Sequence, residues 1–166
     1  MEILDVIDEE GNIIGTASKE ECHSNPELIH RTVQFTLVDI ANKNVFVTQR
    51  SFNKAHDPGK ITFLGEHVLS GESLDEGLIR GVEEELGFTP ENFTPAITHI
   101  FQYDKQTERV TFYVGFWNGE KIDWDKSELE MVEWRDLDKL LSLDDDYSEM
   151  AKFWIANVDW EGIFKE

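Results

Sequence analysis

The chain has 166 residues, 40% of them hydrophobic, which suits one folded domain over residues 1–166 burying roughly 70% of its extended-chain surface. Its 35 acidic and 15 basic residues leave a formal net charge of −20, so neither nucleic acid nor an anionic membrane is an expected partner. The lone Cys22 rules out an intramolecular disulfide, and no apolar run approaches the ~20 residues of a membrane span. The opening MEILDVIDEE lacks the basic-then-apolar layout of a signal peptide, so the expectation is a cytoplasmic protein.

Residues 2–7 and 13–17 predict two strands around an EEGN turn. Ser18 with Glu21 is a capping-box signature for a short helix. The β-rich runs 33–40 and 45–49, joined by an Asn-containing turn, predict a hairpin. A polar segment with Pro58 and Gly59 reads as a loop, and 61–64 as a short strand.

The stretch GEHVLSGESLDEGLIRGVEEELGF, 65–88, reads as a tight glycine-containing loop feeding an acidic helix. Ser73 and Glu76 form a second capping box, and Gly87 with Pro90 marks the stop. Leu74, Leu78, Val82 and Leu86 recur every four residues, so one stripe faces a core. Arg80, Glu84 and Glu85 lie off that stripe, with Arg80 and Glu84 spaced to touch. Gly77 and Gly81 each cost about 1 kcal/mol relative to Ala and share a face, which suits close packing of a neighbouring segment.

Runs 96–103 and 110–117 read as paired strands across a DKQTE turn, and Asn118-Gly119 as another turn. A last strand is expected at 131–134, and helices at 136–141 and 147–158. Many strands, one central helix and closing helices make an α+β fold with helices packed on a mixed sheet.

Glu84 and Glu85 near a helix end, with Glu72 in the preceding loop, can make an oxygen-rich pocket of the kind Mg²⁺ shares with phosphate oxygens. The competing reading is a solvated acidic helix end, and Glu83 is assigned to surface. Carboxylates there sit unfavourably with the helix dipole, a cost that a metal offsets.

This stretch resembles the Nudix box. Glu72, Arg80, Val82, Glu84, Glu85, Gly87 and Phe88 stand at that pattern's fixed offsets. Two positions depart: Glu66 stands at the opening glycine, and Gly81 at the glutamate after the arginine. The resemblance implies a Nudix fold, an α/β/α sandwich, and hydrolysis of a small-molecule diphosphate with Mg²⁺ (or Mn²⁺). Glu84, Glu85 and Glu72 are then the metal ligands. Arg80 joins Glu84, Glu85 and Glu66 in the candidate catalytic set, its implied task being to tie loop to helix through carboxylates. Glu66 is a candidate to reach into the space Gly81 leaves, and Glu66, Glu108 and Glu128 are candidate general bases.

The segments CHSNPELIHRTVQF and LGEHVLSGES resemble the isopentenyl-diphosphate isomerase branch of that family and its related hydrolases. There, residues matching His23, His30 and His67 bind a divalent metal with two later glutamates, of which Glu108 is the nearby match. His56 and His99 are assigned structural or surface roles. Arg50 stands where a basic residue meets substrate phosphate, and Lys60 is a second candidate, with Lys54 weaker. The isomerases also need a cysteine where this chain has Gly65, which leaves that face without a titratable group and argues against isomerase activity, although the isomerases too lack the glutamate that Gly81 replaces. The alternatives are an isomerase and a diphosphate-binding domain that has lost turnover; a homodimer is one expected state.

Overall fold

The computed structural model describes residues 1–143 and 145–165. β1 (Ile3–Ile7) and β2 (Ile13–Ser18) form the expected antiparallel pair, with Gly11 in the turn at φ +92°. Ser18 then caps α1 (Lys19–Cys22): its hydroxyl accepts from Glu21 N, and the Glu21 carboxylate accepts from Ser18 N. The long strand β3 (Ile29–Asp39) runs through the middle of a nine-stranded mixed sheet.

Along one edge, β3 pairs in parallel with β8 (Thr107–Phe116), from Ile29↔Thr107 to Val38↔Phe116. Its other edge is shared by β1, β6 (Leu64–His67) and β4 (Asn44–Arg50). The expected hairpin between 33–40 and 45–49 is therefore present only at its tip, Val38↔Val45 and Asp39↔Asn44. Beyond it β4 turns away to pair with β5 (Ile61–Thr62) and β9 (Leu129–Asp136).

β6 corrects a second expectation. Residues 65–67 are not loop: Gly65, Glu66 and His67 pair with Gln34, Val33 and Thr32. The diverging hairpin leaves β3 backbone groups open, and β6 satisfies them. β7 (Phe93–Gln102) starts earlier than expected and carries Pro95 at a break in its register with β8. β8 also starts earlier, which brings Glu108 into the sheet.

Two cores form on opposite faces of this sheet. Val33, Phe35 and Leu37 pack against Leu78, Val82 and Leu86 of α2 (Leu74–Leu86), the stripe read from the sequence. Val110, Phe112 and Val114 pack against α3 (Leu137–Ser142), α4 (Glu149–Asn157) and the unanticipated α5 (Trp160–Ile163). Helices on both faces make the α/β/α sandwich. Ser73 and Glu76 cap α2 reciprocally, and Gly87 closes it at φ 78°. Among the described residues no helix is long and apolar enough to cross a membrane.

Candidate active site

Strand alternation sorts the candidates onto two faces. His30, Thr32 and Gln34 of β3 lie on the α4 side, as the bond from Trp154 to Gln34 requires. His67 and Gly65 of β6 stand opposite Thr32 and Gln34 and share that face. Glu66 stands opposite Val33 and turns to α2.

His23, at the C-cap of α1, completes a cluster with His30 and His67. The ring centroids are 4.8–5.4 Å apart, and one ligand atom from each lies within 4.8 Å of the others. His23 Nε2 and His67 Nε2 are 2.9 Å apart, so one carries a proton and the other accepts. His30 is fully buried and, among the described residues, neither ring nitrogen has a hydrogen-bond partner, a cost of about 1–3 kcal/mol per group. Burial, with mutual repulsion, pushes His67 down to about 3 and His30 to about 4; burial lowers His23 too. Three imidazoles held neutral, with orphaned nitrogens, are in the form a metal requires.

Glu108 is the cross-strand neighbour of His30 and is almost fully buried, which pushes its carboxyl up. Gln106, two residues before it, has its side-chain oxygen buried without a partner among the described residues. Nitrogen and oxygen donors together suit Zn²⁺, Mn²⁺ or Fe²⁺. Gln106 was not singled out by the sequence; it stands in the turn just before β8, and with Glu108 it borders the same cavity.

On the α2 side, Arg80 ties the loop to the helix. Its Nε and Nη2 each donate to the Glu72 carboxylate at 3.0 Å, and Nη2 donates to His67 O at 2.6 Å. Glu72 also accepts from Leu69 N at 2.7 Å, and the Arg80 guanidinium holds its carboxyl below the usual range. Both Glu72 oxygens are thus engaged within the protein. Glu76, near enough on the helix to pair with Arg80, instead serves the capping box. Glu84 lies 3.6 Å from Arg80, the i, i+4 pair read from the sequence, and is half exposed.

Glu66 is positioned by the absence of a side chain at 81. A Cβ at Gly81 would lie 3.0 Å from Glu66 Cβ and 3.4 Å from Phe35 Cε1. The Glu66 carboxylate is 3.7 Å from Arg80, and it accepts from His67 N at 3.1 Å. Burial and the adjoining Glu84 carboxyl push it up to about 7, against the pull of Arg80. Neighbouring carboxyls each make the other hold its proton more tightly. Glu85 is also pushed up, by burial and then by Glu128, Glu84 and Asp125. Glu128 is paired with Lys54.

A cavity of about 330 Å³ lies on the histidine side, bordered by His23, His67, Glu108 and Glu66, with Arg50 as its cation. Arg50 Nε donates to the backbone His56 O at 2.9 Å, and the exposed His56 also borders the cavity. Glu84, Glu85 and Glu72 do not border this cavity, so the two candidate metal constellations lie on opposite faces of the sheet. Glu66 borders the cavity with its side chain turned to α2. Lys60 is outside the cavity and pairs with Asp146 at 3.2 Å.

Comparison with known proteins places the chain in a family. The model of the NUDIX domain matches residues 30–155. An isopentenyl-diphosphate Delta-isomerase of Streptomyces avermitilis is 36% identical over 90 residues, 53% of this chain and 45% of that protein. The chain thus spans about half the length of that relative. The 8-oxo-dGTP diphosphatase of Escherichia coli is 30% identical over 99 residues, 58% of this chain and 72% of that one. A Deinococcus radiodurans crystal structure, DR0079, superposes with a TM-score of 0.77 at 18% identity, covering 95% of this chain and 99% of that one. The last shows a shared fold; the match to the family model covers most of the chain and shows more, namely that the chain belongs to the NUDIX domain family.

Proposed function

We propose that this chain, acting as one domain over residues 1–166, hydrolyses a diphosphate bond in a nucleoside diphosphate derivative or a related organic diphosphate, with Mg²⁺ or Mn²⁺. The observation that carries this reading is Glu66, whose Cβ and Cγ pack over Gly81 and whose carboxylate lies 3.7 Å from Arg80, the guanidinium that also faces Glu84 at 3.6 Å. A carboxylate missing from the motif is thereby resupplied from β6.

Glu84 and Glu85 would hold the ion, which when bound neutralises phosphate charge and lowers the pKa of a bound water. Glu72 serves through Arg80: its engaged oxygens fix the loop against α2. Glu66, raised towards neutral pH, is suited to take the proton of the attacking water as the new P–O bond forms and the diphosphate bond breaks. Arg50 is suited to receive phosphate oxygens in the cavity. Turnover of a panel of nucleoside and non-nucleoside diphosphates with Mg²⁺ or Mn²⁺ tests this. Activity on at least one, lost in both Glu85→Gln and Glu66→Gln, is expected. Activity on none, or full activity in Glu85→Gln, defeats it.

The histidine centre favours a second reading, an isopentenyl-diphosphate isomerase, because His23, His30 and His67 converge beside Glu108. Gly65 counts against it, since it leaves one cavity wall without an acid–base group. Incubation with isopentenyl diphosphate, watching for the dimethylallyl product, separates the two.

A further inference from the structure

We infer that Gln34 determines specificity: its side-chain N–H₂ donates into the cavity and selects a diphosphate whose organic group carries an acceptor oxygen over one that is purely hydrocarbon. The inference rests on the diphosphate reading above and adds to it the chemistry of the organic group.

An amide side chain can present either end, so what fixes it decides what it reads. Here Trp154 fixes it. The indole N–H can only donate, and Trp154 Nε1 lies 2.7 Å from Gln34 Oε1. Trp154 is fully buried and cannot turn away. It stacks on Phe112 at 5.0 Å and meets Phe101 edge-on at 5.3 Å. With Oε1 committed, the nitrogen end of Gln34 is left for the cavity that Gln34 lines. Among the described residues that nitrogen has no protein acceptor.

Gly65 keeps it uncovered. Gly65 is the cross-strand partner of Gln34, and a Cβ there would lie 3.1 Å from Gln34 Cγ and 3.5 Å from Nε2. Any larger residue would crowd the amide. The glycine that removes an acid–base group from the wall therefore also exposes a hydrogen-bond donor in it.

A second donor stands on the same wall. Ser148, the N-cap of α4, accepts from Ala151 N and donates to Thr62 Oγ1 at 3.0 Å. Thr62 borders the cavity, and its own hydroxyl proton is left to donate. α4 and its cap thus orient two neutral donors, Gln34 Nε2 and Thr62 Oγ1. A hydrocarbon group against this wall leaves both unpaired, whereas an acceptor oxygen satisfies them.

The test uses two diphosphates with one carbon skeleton, isopentenyl diphosphate and 3-hydroxy-3-methylbutyl diphosphate. Their binding to the whole chain in Mg²⁺ is measured by titration calorimetry. The wild type is expected to bind the hydroxyl compound about tenfold more tightly. Gln34→Leu should cut that preference severalfold, with Thr62 left as the remaining donor, while leaving affinity for isopentenyl diphosphate unchanged or improved. Trp154→Phe keeps a ring in the stack but frees the amide to flip, and should weaken the preference; thermal unfolding confirms that each variant is folded. Equal affinity for the two compounds in the wild type, or a preference undiminished in Gln34→Leu, overturns the inference and leaves the hydrolase reading standing. Failure of both to bind overturns the diphosphate reading and this inference with it.

Discussion

Replacing Gly81 by alanine places one methyl group at the tightest approach between α2 and β6. It would lie 3.0 Å from Glu66 Cβ and 3.4 Å from Phe35 Cε1. The first neighbour is joined directly to strand backbone, so it cannot swing aside as a side-chain tip can. Helix propensity favours alanine by about 1 kcal/mol. Overpacking opposes it by about 1–3 kcal/mol. The expected net effect is a loss of about 1 kcal/mol. In a Glu66→Gly background the close neighbour is gone and the 3.4 Å contact is ordinary enough to relax, so the same substitution should stabilise by up to about 1 kcal/mol. The two positions should therefore couple by about 2 kcal/mol, with a change of sign. Urea unfolding of the four proteins, read from the midpoints at constant slope, measures this cycle. If Gly81→Ala shifts stability by the same amount in both backgrounds, Glu66 does not occupy the space beside Gly81 and its proposed role fails. The functional counterpart is the exchange Glu66→Gly with Gly81→Glu, which should retain metal-dependent turnover while Gly81→Glu alone loses it.

Glu66→Gln should be more stable than wild type in EDTA at pH 8. The folded carboxyl, at about 7, binds its proton more tightly than the unfolded one near 4.5. Its charge therefore costs stability once the pH rises through 7. The advantage should be about 2 kcal/mol, discounted for solvent and the Glu84 coupling, and should vanish by pH 4.5; a constant difference across that range refutes it. Mn²⁺ or Zn²⁺ should raise the unfolding temperature through the histidine centre, equivalent to about 2.7 kcal/mol at a hundredfold excess over Kd. His67→Gln should remove that response, and a shift of equal size in this variant would place the ion elsewhere. Arg80→Ala should cost about 2 kcal/mol in urea, because it strips charge-assisted bonds from Glu72 and from His67 O. Arg80→Lys, without the planar fork, should recover less than half; full recovery would mean that charge alone matters there.

Local patterns carried much of this. The capping boxes at Ser18 and Ser73, the stop at Gly87 and the apolar stripe of α2 are set by residues within four positions of one another, and all are present. The Arg80–Glu84 pair follows from the same helical spacing. The family pattern adds the histidines, which no periodicity would single out. What local patterns leave open is pairing between distant segments. β6 exists because β4 leaves β3 early, and Glu108 stands beside His30 because two strands 78 positions apart run in parallel register. The pleat then decides which residues can meet. It sends Glu66 to α2 and Gly65 to the cavity, divides the expected ligands between two faces, and sets Gln34 under Trp154. A helix face can be read from spacing along the chain; a strand's neighbours are chosen by backbone hydrogen bonds that only the folded sheet supplies.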